Sequence, residues 1–167
     1  MCIRDSIGVL PGNPDISALR YGKICILADA DSDGLHIATL LCALFLQHYK
    51  PLVQEGRIYV SMPPLYRIDC AKEVFYALDD SQRDTIVKDL KSRKGKPKIN
   101  IQRFKGLGEM NPSQLRETVM DPATRQLVSL TISPNDNANS VMDLLLAKKR
   151  APDRKEWLEK KGSLAKV

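Results

Sequence analysis

The sequence predicts an α/β fold in which a parallel sheet is flanked by helices, and three observations lead to this prediction. An aliphatic run at residues 23–28 indicates a strand buried on both faces, as strands of parallel sheets usually are. A mostly apolar segment at residues 35–52 indicates a buried helix, and residues 57–60 indicate a second strand. Strand, helix and strand in this order form a βαβ unit with a right-handed crossover.

The pattern changes after Pro63 and Pro64, where shorter elements begin. The predicted strands of this part are residues 65–68, 73–77, 99–103 and 127–132. The predicted helices are residues 80–93 with Ser81 as N-cap, a helix starting at Asn111 and Pro112, and two final helices at 140–150 and 152–161. Trp157 is expected to anchor the last helix by packing.

Length and composition limit the possible classes of protein. The 167 residues suffice for one compact domain with a small appendage, and 43% hydrophobic with 28% charged residues is typical of a globular protein. Four scattered cysteines form no Cys-x-x-Cys pair, and Cys25 and Cys42 lie in apolar runs, so we expect buried free thiols. No signal peptide is evident, and the longest apolar run is far shorter than the ~20 residues that span a bilayer. We therefore expect a cytoplasmic chain without a membrane partner.

Charge is unevenly distributed along the chain. Residues 1–82 contain 7 Lys and Arg against 10 Asp and Glu, whereas residues 83–167 contain 19 against 10. A basic half combined with an acidic cluster indicates a polyanionic partner and a cation site. Charge alone does not distinguish this interpretation from an ordinary solvated basic surface.

The acidic cluster consists of Asp29, Asp31 and Asp33, directly after the first predicted strand. Ligands of open α/β sheets bind at the carboxyl edge of the strands, which is where these side chains would lie. Close carboxylates repel one another unless they bind protons or a divalent cation. Carboxylate oxygens favour Mg²⁺, Mn²⁺ or Ca²⁺ over zinc, and Gly34 permits a sharp turn into the next helix.

Four interpretations of the cluster compete. An EF-hand loop would require a glutamate at its twelfth position, where this sequence has Leu40. An aspartate phosphatase or phosphotransferase of the haloacid dehalogenase type would usually have Thr or Val in place of Asp33. A Mg²⁺ site that acts on phosphodiesters and a purely structural acidic loop are the other two.

Two long motifs give the chain a resemblance to a known family. Residues 20–37, RYGKICILADADSDGLHI, resemble the TOPRIM acidic motif of the B subunits of type IIA topoisomerases. Residues 102–112, QRFKGLGEMNP, resemble the second long signature of the same subunits. Residues 145–157 resemble the tail of topoisomerase IV B subunits from Gram-negative bacteria. The resemblance extends from Ile7 to the last residue.

The resemblance implies a TOPRIM-type parallel sheet flanked by helices, with a small α+β C-terminal extension. Residues 1–20 would be an N-terminal loop, 21–112 the TOPRIM core with inserted strands and a helix, and 113–167 a helical tail. The family also uses a glutamate in a Glu-Gly-Asp-Ser-Ala motif on an earlier strand. This sequence has no such motif, so we expect the sheet to be truncated at its first strand.

The resemblance also implies an activity, namely the ATP-dependent cleavage, passage and religation of DNA that decatenates and relaxes duplexes. Asp29 and Asp31 would be the catalytic Mg²⁺ ligands, with Asp33 as a supporting ligand, and Mn²⁺ or Ca²⁺ could substitute in binding. ATP would act only through an ATPase half that this sequence does not contain. We therefore expect the chain alone to be inactive.

The implied partners are double-stranded DNA and the topoisomerase IV A subunit, which carries the nucleophilic tyrosine, in an A2B2 assembly at the bacterial nucleoid. His36, Lys105 and Arg154 are the expected DNA contacts. Each has a plainer alternative: His36 as a polar residue at a helix start, Lys105 in a tight turn with Gly106 and Gly108, and Arg154 on a solvated basic face.

Overall fold

The computed structural model describes residues 3–93, 97–133 and 137–164, which form two three-stranded sheets with helices packed around them. The ends of the predicted N-terminal loop and C-terminal tail, residues 1–2 and 165–167, lie outside the described residues. The mixed α/β class predicted from the sequence is confirmed.

The first sheet contains β1 (Ile24–Ile26), β2 (Ile58–Ser61) and β6 (Leu127–Ser129), with β2 in the middle. β1 and β2 are parallel, with Ile24 opposite Ile58, and the helix between them confirms the predicted βαβ unit. β6 runs antiparallel to β2, with Val128 opposite Val60. The sheet is therefore mixed, and its parallel part is the β1–β2 pair.

The helix of the βαβ unit, α2 (Ser32–His48), begins before its predicted start and ends before its predicted end. It begins early because Asp31 acts as its N-cap. It ends at Tyr49, and Pro51 lies in the first turn of a separate short helix, α3 (Lys50–Gln54). Proline has no N–H for the helical ladder and its ring conflicts with the preceding turn, which explains the break.

The second sheet contains β3 (Tyr66–Cys70), β4 (Glu73–Ala77) and β5 (Ile99–Arg103), all antiparallel, with β3 in the middle. Alternate residues of β3 are buried, as expected for a strand with one covered face. The helix α4 (Asp80–Ser92) covers that face, where Ile68 and Leu90 are both almost completely buried. Its N-cap is Asp79, which accepts from Gln82 N, so the predicted cap at Ser81 is wrong by two positions.

The described residues contain four further α-helices, α1 (Ile3–Ile7), α5 (Pro112–Leu115), α6 (Ala138–Leu146) and α7 (Ala151–Lys161), together with short 3-10 and π-helical turns. The predicted helix start at Asn111 is confirmed, because Asn111 and Gln114 form a reciprocal capping box. Trp157 on α7 is 43% exposed, so the expectation that it anchors the tail by packing is wrong.

Two separate apolar clusters stabilise the part of the chain that the structure describes. The larger one joins the first sheet, α2 and α3 to the N-terminal segment, and includes Ile26, Phe45 and Ile58. The smaller one lies between the second sheet and α4. Within the described residues, no helix has the length and apolar character needed to cross a membrane.

The strand β1 was expected to be buried on both faces, and this expectation is wrong. Ile26 is buried, but Cys25 is exposed and Leu27, just beyond the strand, is 41% exposed. The physical reason is that the larger apolar core covers one face of β1, which carries Ile24 and Ile26, whereas Cys25 and Leu27 lie on the other face. The expected burial of the Cys25 thiol is wrong for the same reason, whereas Cys42 is half-buried.

Candidate metal and phosphodiester site

The two sequence motifs meet at Asp29, just beyond the carboxyl end of β1. The backbone N–H of Leu107 donates a hydrogen bond of 2.8 Å to Asp29 Oδ1, although the two residues are 78 positions apart. The sequence placed Asp29 at this edge of the sheet, and its contact with the second motif is an additional finding.

Gly106 lies against the same carboxylate. A Cβ built at this position would be 3.1 Å from each of Cγ, Oδ1 and Oδ2 of Asp29. The φ angle of Gly106 is −168°, which is extended backbone that any residue adopts. Glycine is therefore favoured at this position because little space is left for a side chain beside the Asp29 carboxylate. At Gly108, by contrast, an added Cβ would meet nothing within 4 Å.

The turn that contains Gly106 and Leu107 is stabilised by hydrogen bonds between its own residues. Glu109 Oε2 accepts a hydrogen bond of 2.8 Å from Lys105 N, and Glu109 N donates to Gly106 O. On either side of the turn, Phe104 and Met110 are buried, with exposures of 2% and 9%. These contacts fix the direction in which the Leu107 N–H points.

Asp31 has a structural function at the start of α2. Its Oδ1 accepts a hydrogen bond of 2.7 Å from Gly34 N, which satisfies one of the free N–H groups of the first turn. Gly34 packs directly against the backbone of Asp29, because an added Cβ would lie 2.1 Å from the Asp29 carbonyl oxygen. Together these contacts hold Asp29 and Asp31 against the N-terminal end of α2.

Asp33 lies in the exposed first turn of α2, where a negative charge is favoured by the helix dipole. The carboxylates of Asp29, Asp31 and Asp33 are exposed. Among residues 3–93, 97–133 and 137–164, no group of three His, Cys, Asp or Glu side chains is arranged to enclose a metal ion. Within these residues the three carboxylates therefore do not form an enclosed cation site by themselves.

This donor set fits magnesium better than it fits an ion that needs an enclosed protein cage. Mg²⁺ usually keeps several waters and binds through one or two carboxylates together with phosphate oxygens. Asp29 and Asp31 each use Oδ1 for a backbone N–H and have a second carboxylate oxygen on an exposed side chain. Two such carboxylates beside a helix N-terminus suit a cation that is shared with a phosphodiester.

The three predicted DNA contacts are in different surroundings. His36 is exposed on the first part of α2, and Lys105 is exposed at the start of the turn that reaches Asp29. Arg154 lies on α7, where its Nη1 donates to the carbonyl oxygens of Leu144 and Ala147. That nitrogen of Arg154 thus satisfies carbonyls at the end of α6.

The basic stripe of the tail is partly neutralised by acidic residues of the same segment. Arg150 contacts Asp153 and also pairs with Asp143 at 2.8 Å, and the hydrogen bonds to Asp153 and then to Asp143 raise the pKa of the Arg150 guanidinium. Lys155 lies 3.9 Å from Glu159. Lys148 and Lys149 are exposed in the turn between α6 and α7. The positive charge open to a phosphate backbone is therefore smaller than the residue count indicates.

Sequence reasoning missed that the Leu107 backbone contacts Asp29. The two glycines of the second motif were the available signal, since glycine permits close approach and unusual backbone angles. Close approach is what Gly106 provides. The described glycines with positive φ are Gly8, Gly12 and Gly56, so neither glycine of the motif uses a left-handed conformation.

Comparison with known proteins extends these findings. The family model for the carboxyl terminus of the DNA gyrase B subunit matches residues 96–159. The B subunit of DNA topoisomerase 4 from Pseudomonas aeruginosa is 64% identical over 162 residues, which are 97% of this chain and 26% of that protein. The Escherichia coli protein of the same name is 60% identical over 97% of this chain and 26% of its own length.

A more distant relative is the B subunit of DNA gyrase from Thermotoga maritima, 43% identical over 87% of this chain and 22% of that protein. The chain spans about a quarter of the length of the topoisomerase 4 proteins that it matches. The matches agree with the two motifs that meet at Asp29, and the chain belongs to the B-subunit family of type IIA topoisomerases, whose carboxyl-terminal region it represents.

Proposed function

We propose that this chain is the metal-binding part of a topoisomerase 4 B subunit, and that it acts in the ATP-dependent cleavage, passage and religation of double-stranded DNA. The observation that carries the proposal is the meeting of the two motifs at Asp29, through the 2.8 Å bond from Leu107 N to Asp29 Oδ1. Relatives that match nearly the whole chain are named as B subunits of DNA topoisomerase 4, which supports this function over the phosphatase or phosphotransferase alternative.

In this proposal Asp29 and Asp31 hold Mg²⁺, and Asp33 supports them from the first turn of α2. When bound, the metal stabilises the negative charge that develops on the phosphate and on the leaving oxygen. The backbone N–H groups of Leu107 and Gly34 each hold one carboxylate in place. The N-terminal end of α2 adds a favourable field for the phosphate that approaches the two aspartates.

The DNA backbone would contact the exposed side chains of His36 and Lys105 close to the aspartates and Arg154 in the tail. Arg154 Nη1 already serves two carbonyl oxygens, so a phosphate would bind the other N–H groups of its guanidinium. Exposed Lys148 and Lys149 would add charge beside it. Such contacts position a duplex without reading its sequence.

The remaining parts of the activity would come from elsewhere in the assembly. The A subunit would supply the nucleophilic tyrosine in an A2B2 complex, and the ATPase half of the B subunit would supply nucleotide hydrolysis. A cytoplasmic, nucleoid-associated location in a bacterium follows from this function.

The edge of β1 supports a further part of the proposal, namely that a glutamate from a preceding strand of the same protein completes the metal site. A cavity of about 610 Å³ lies along this edge and is lined by residues of β1, by Tyr21 and by Leu41 and Phe45 of α2. An additional strand at this edge would bury these apolar groups and bring a side chain close to Asp29.

Replacement of Asp29 by asparagine in the intact B subunit, assembled with the A subunit, tests the proposal. Asparagine keeps the acceptor for Leu107 N but removes the charge, so we expect Mg²⁺-dependent DNA cleavage to be lost while the fold is retained. Asp89→Asn on the exposed surface of α4 is the matched control. Cleavage at the wild-type rate by Asp29→Asn would falsify the metal assignment.

A further inference from the structure

The turn of the second motif contributes to the candidate metal site through its backbone alone. Leu107 donates its N–H to Asp29 Oδ1 at 2.8 Å, and Gly106 leaves the room that the carboxylate needs. We propose that Gly106 and the Leu107 amide are positioning groups that set the orientation of the Asp29 carboxylate and thereby the affinity and selectivity of the site for Mg²⁺. This inference rests on the proposed metal function of Asp29.

The first argument concerns the freedom of the carboxylate. Asp29 is exposed, and an exposed aspartate ordinarily samples several side-chain rotamers. A hydrogen bond from a fixed N–H to Oδ1 selects one of them and thereby fixes where Oδ2 lies. Groups that orient a metal ligand in this way typically change metal affinity by about 10–100-fold when they are removed.

The second argument concerns the rigidity of the donor. The turn is closed by the bond from Lys105 N to Glu109 Oε2 and lies between two buried side chains, Phe104 and Met110. Ala30, Pro63, Pro64, Gly106 and Leu107 meet around a crevice too small for a water molecule. The Leu107 N–H therefore has little freedom to follow a displaced carboxylate.

The third argument concerns steric tolerance. A methyl group at residue 106 would be 3.1 Å from Cγ and from both carboxylate oxygens of Asp29, closer than such atoms normally approach, so the carboxylate would have to move by a few tenths of an ångström. Mg²⁺ requires near-ideal octahedral geometry with short bonds, whereas Ca²⁺ accepts longer bonds and variable coordination. A small displacement of Asp29 should therefore weaken Mg²⁺ binding more than Ca²⁺ binding.

The experiment compares Gly106→Ala with Gly108→Ala in the intact B subunit. Binding of Mn²⁺ is measured directly by electron paramagnetic resonance, and the affinities for Mg²⁺ and Ca²⁺ are obtained by competition. We expect Gly106→Ala to weaken Mg²⁺ binding about tenfold and Ca²⁺ binding distinctly less, and Gly108→Ala to leave both unchanged. Unaltered affinities in Gly106→Ala, or an equal loss for both ions, would overturn the inference.

A second variant removes the hydrogen bond without adding any atoms beside Asp29. Replacement of Leu107 by its α-hydroxy acid analogue converts the donating N–H into an ester oxygen and keeps the side chain. We expect this variant to bind Mg²⁺ more weakly while it still unfolds cooperatively in urea, which shows that the fold is retained. Wild-type Mg²⁺ affinity in the ester variant would overturn the inference even if Gly106→Ala failed to fold.

The Asp29→Ala variant separates failure of this inference from failure of the proposed function. Weak Mn²⁺ binding by Asp29→Ala together with wild-type binding by both turn variants would refute the positioning function alone. Wild-type Mn²⁺ binding by Asp29→Ala would refute the metal assignment and, with it, the inference that depends on it.

Discussion

Arg154 Nη1 lies 2.8 Å from the carbonyl oxygen of Ala147, the residue at the carboxyl end of α6, and 2.9 Å from that of Leu144. A guanidinium at the end of a helix satisfies carbonyls that have no partner within the helix and interacts favourably with the helix dipole. This relationship gives Arg154 a structural function alongside the DNA contact expected from the sequence.

We expect Arg154→Ala to lower the free energy of unfolding by about 1–2 kcal/mol, because two charge-assisted hydrogen bonds at the junction of α6 and α7 are lost. Urea denaturation of the intact protein measures the change. The control is Lys149→Ala, at an exposed residue of the same segment. Equal stability of both variants would show that the two carbonyl contacts contribute nothing.

Arg154→Ala also tests the DNA contact. If Arg154 binds a phosphate, its loss should reduce the slope of log K against log salt concentration by roughly 0.9 for duplex DNA. Sequence preference and Mg²⁺ dependence should not change. The slope is obtained from titrations of the assembly at several salt concentrations. An unchanged slope in Arg154→Ala, with a reduced slope in Lys149→Ala, would transfer the contact to the lysines.

Two substitutions of Asp31 separate its cap from its charge. Asp31→Ala should lower the free energy of unfolding by about 1 kcal/mol because the Gly34 N–H loses its acceptor. Asp31→Asn keeps a good N-cap and should be nearly as stable as wild type, although we expect both variants to lose Mg²⁺-dependent cleavage. Thermal unfolding and a cleavage assay together check this. Equal stability of the two variants would contradict the cap.

Gly34→Ala should disturb the fold as well as the site. An added Cβ would lie 2.1 Å from the Asp29 carbonyl oxygen, so the backbone after β1 would have to move away from α2. We expect a loss of roughly 2–3 kcal/mol or more, as for overpacking of a rigid contact. Gly22→Ala, where an added Cβ meets nothing within 4 Å, is the matched control. If Gly34→Ala had the wild-type free energy of unfolding, the backbone near Asp29 would be able to move away from the added methyl group at little cost.

Alkaline pH should weaken the contact between the second sheet and the segment after α5. Burial, followed by the hydrogen bond from Tyr76 Oη to Glu117, raises the pKa of Tyr76 above its ordinary value of 10.0. The folded state thus holds this proton more tightly than the unfolded state. The associated stability is complete below pH 10 and is lost as the pH rises through the folded-state pKa. Tyr76→Phe should therefore show a smaller loss of stability between pH 9 and pH 11, measured by urea denaturation.

The βαβ unit and the position of the aspartates were predictable because they depend on local pattern. Apolar runs of strand and helix length define the unit, and the carboxyl edge of a strand is where a ligand site is expected. The contact between Leu107 and Asp29 was not predictable in the same way. It depends on how the turn after β5 packs against the end of β1. The two contacting residues are 78 positions apart in the sequence, and no local pattern encodes such a contact.

The wrong expectations have a common physical origin. Cys25 and Trp157 are residue types that are usually buried, but the burial of a residue depends on the neighbours that its element has. The described core covers the face of β1 that carries Ile24 and Ile26 and not the face that carries Cys25, and α7 packs mainly on the short elements beside it. Composition predicts which side chains favour the interior, and tertiary contacts decide which of them reach it.

The presence of two apolar clusters has a consequence for the bond between Leu107 and Asp29. Asp29 follows a strand of the larger cluster, whereas Leu107 lies just after β5, a strand of the sheet that forms the smaller one. If the two parts of the chain shift relative to each other, this 2.8 Å bond lies across the boundary between them. The orientation of the Asp29 carboxylate therefore depends on how the two clusters are placed relative to each other, and not on its own strand alone.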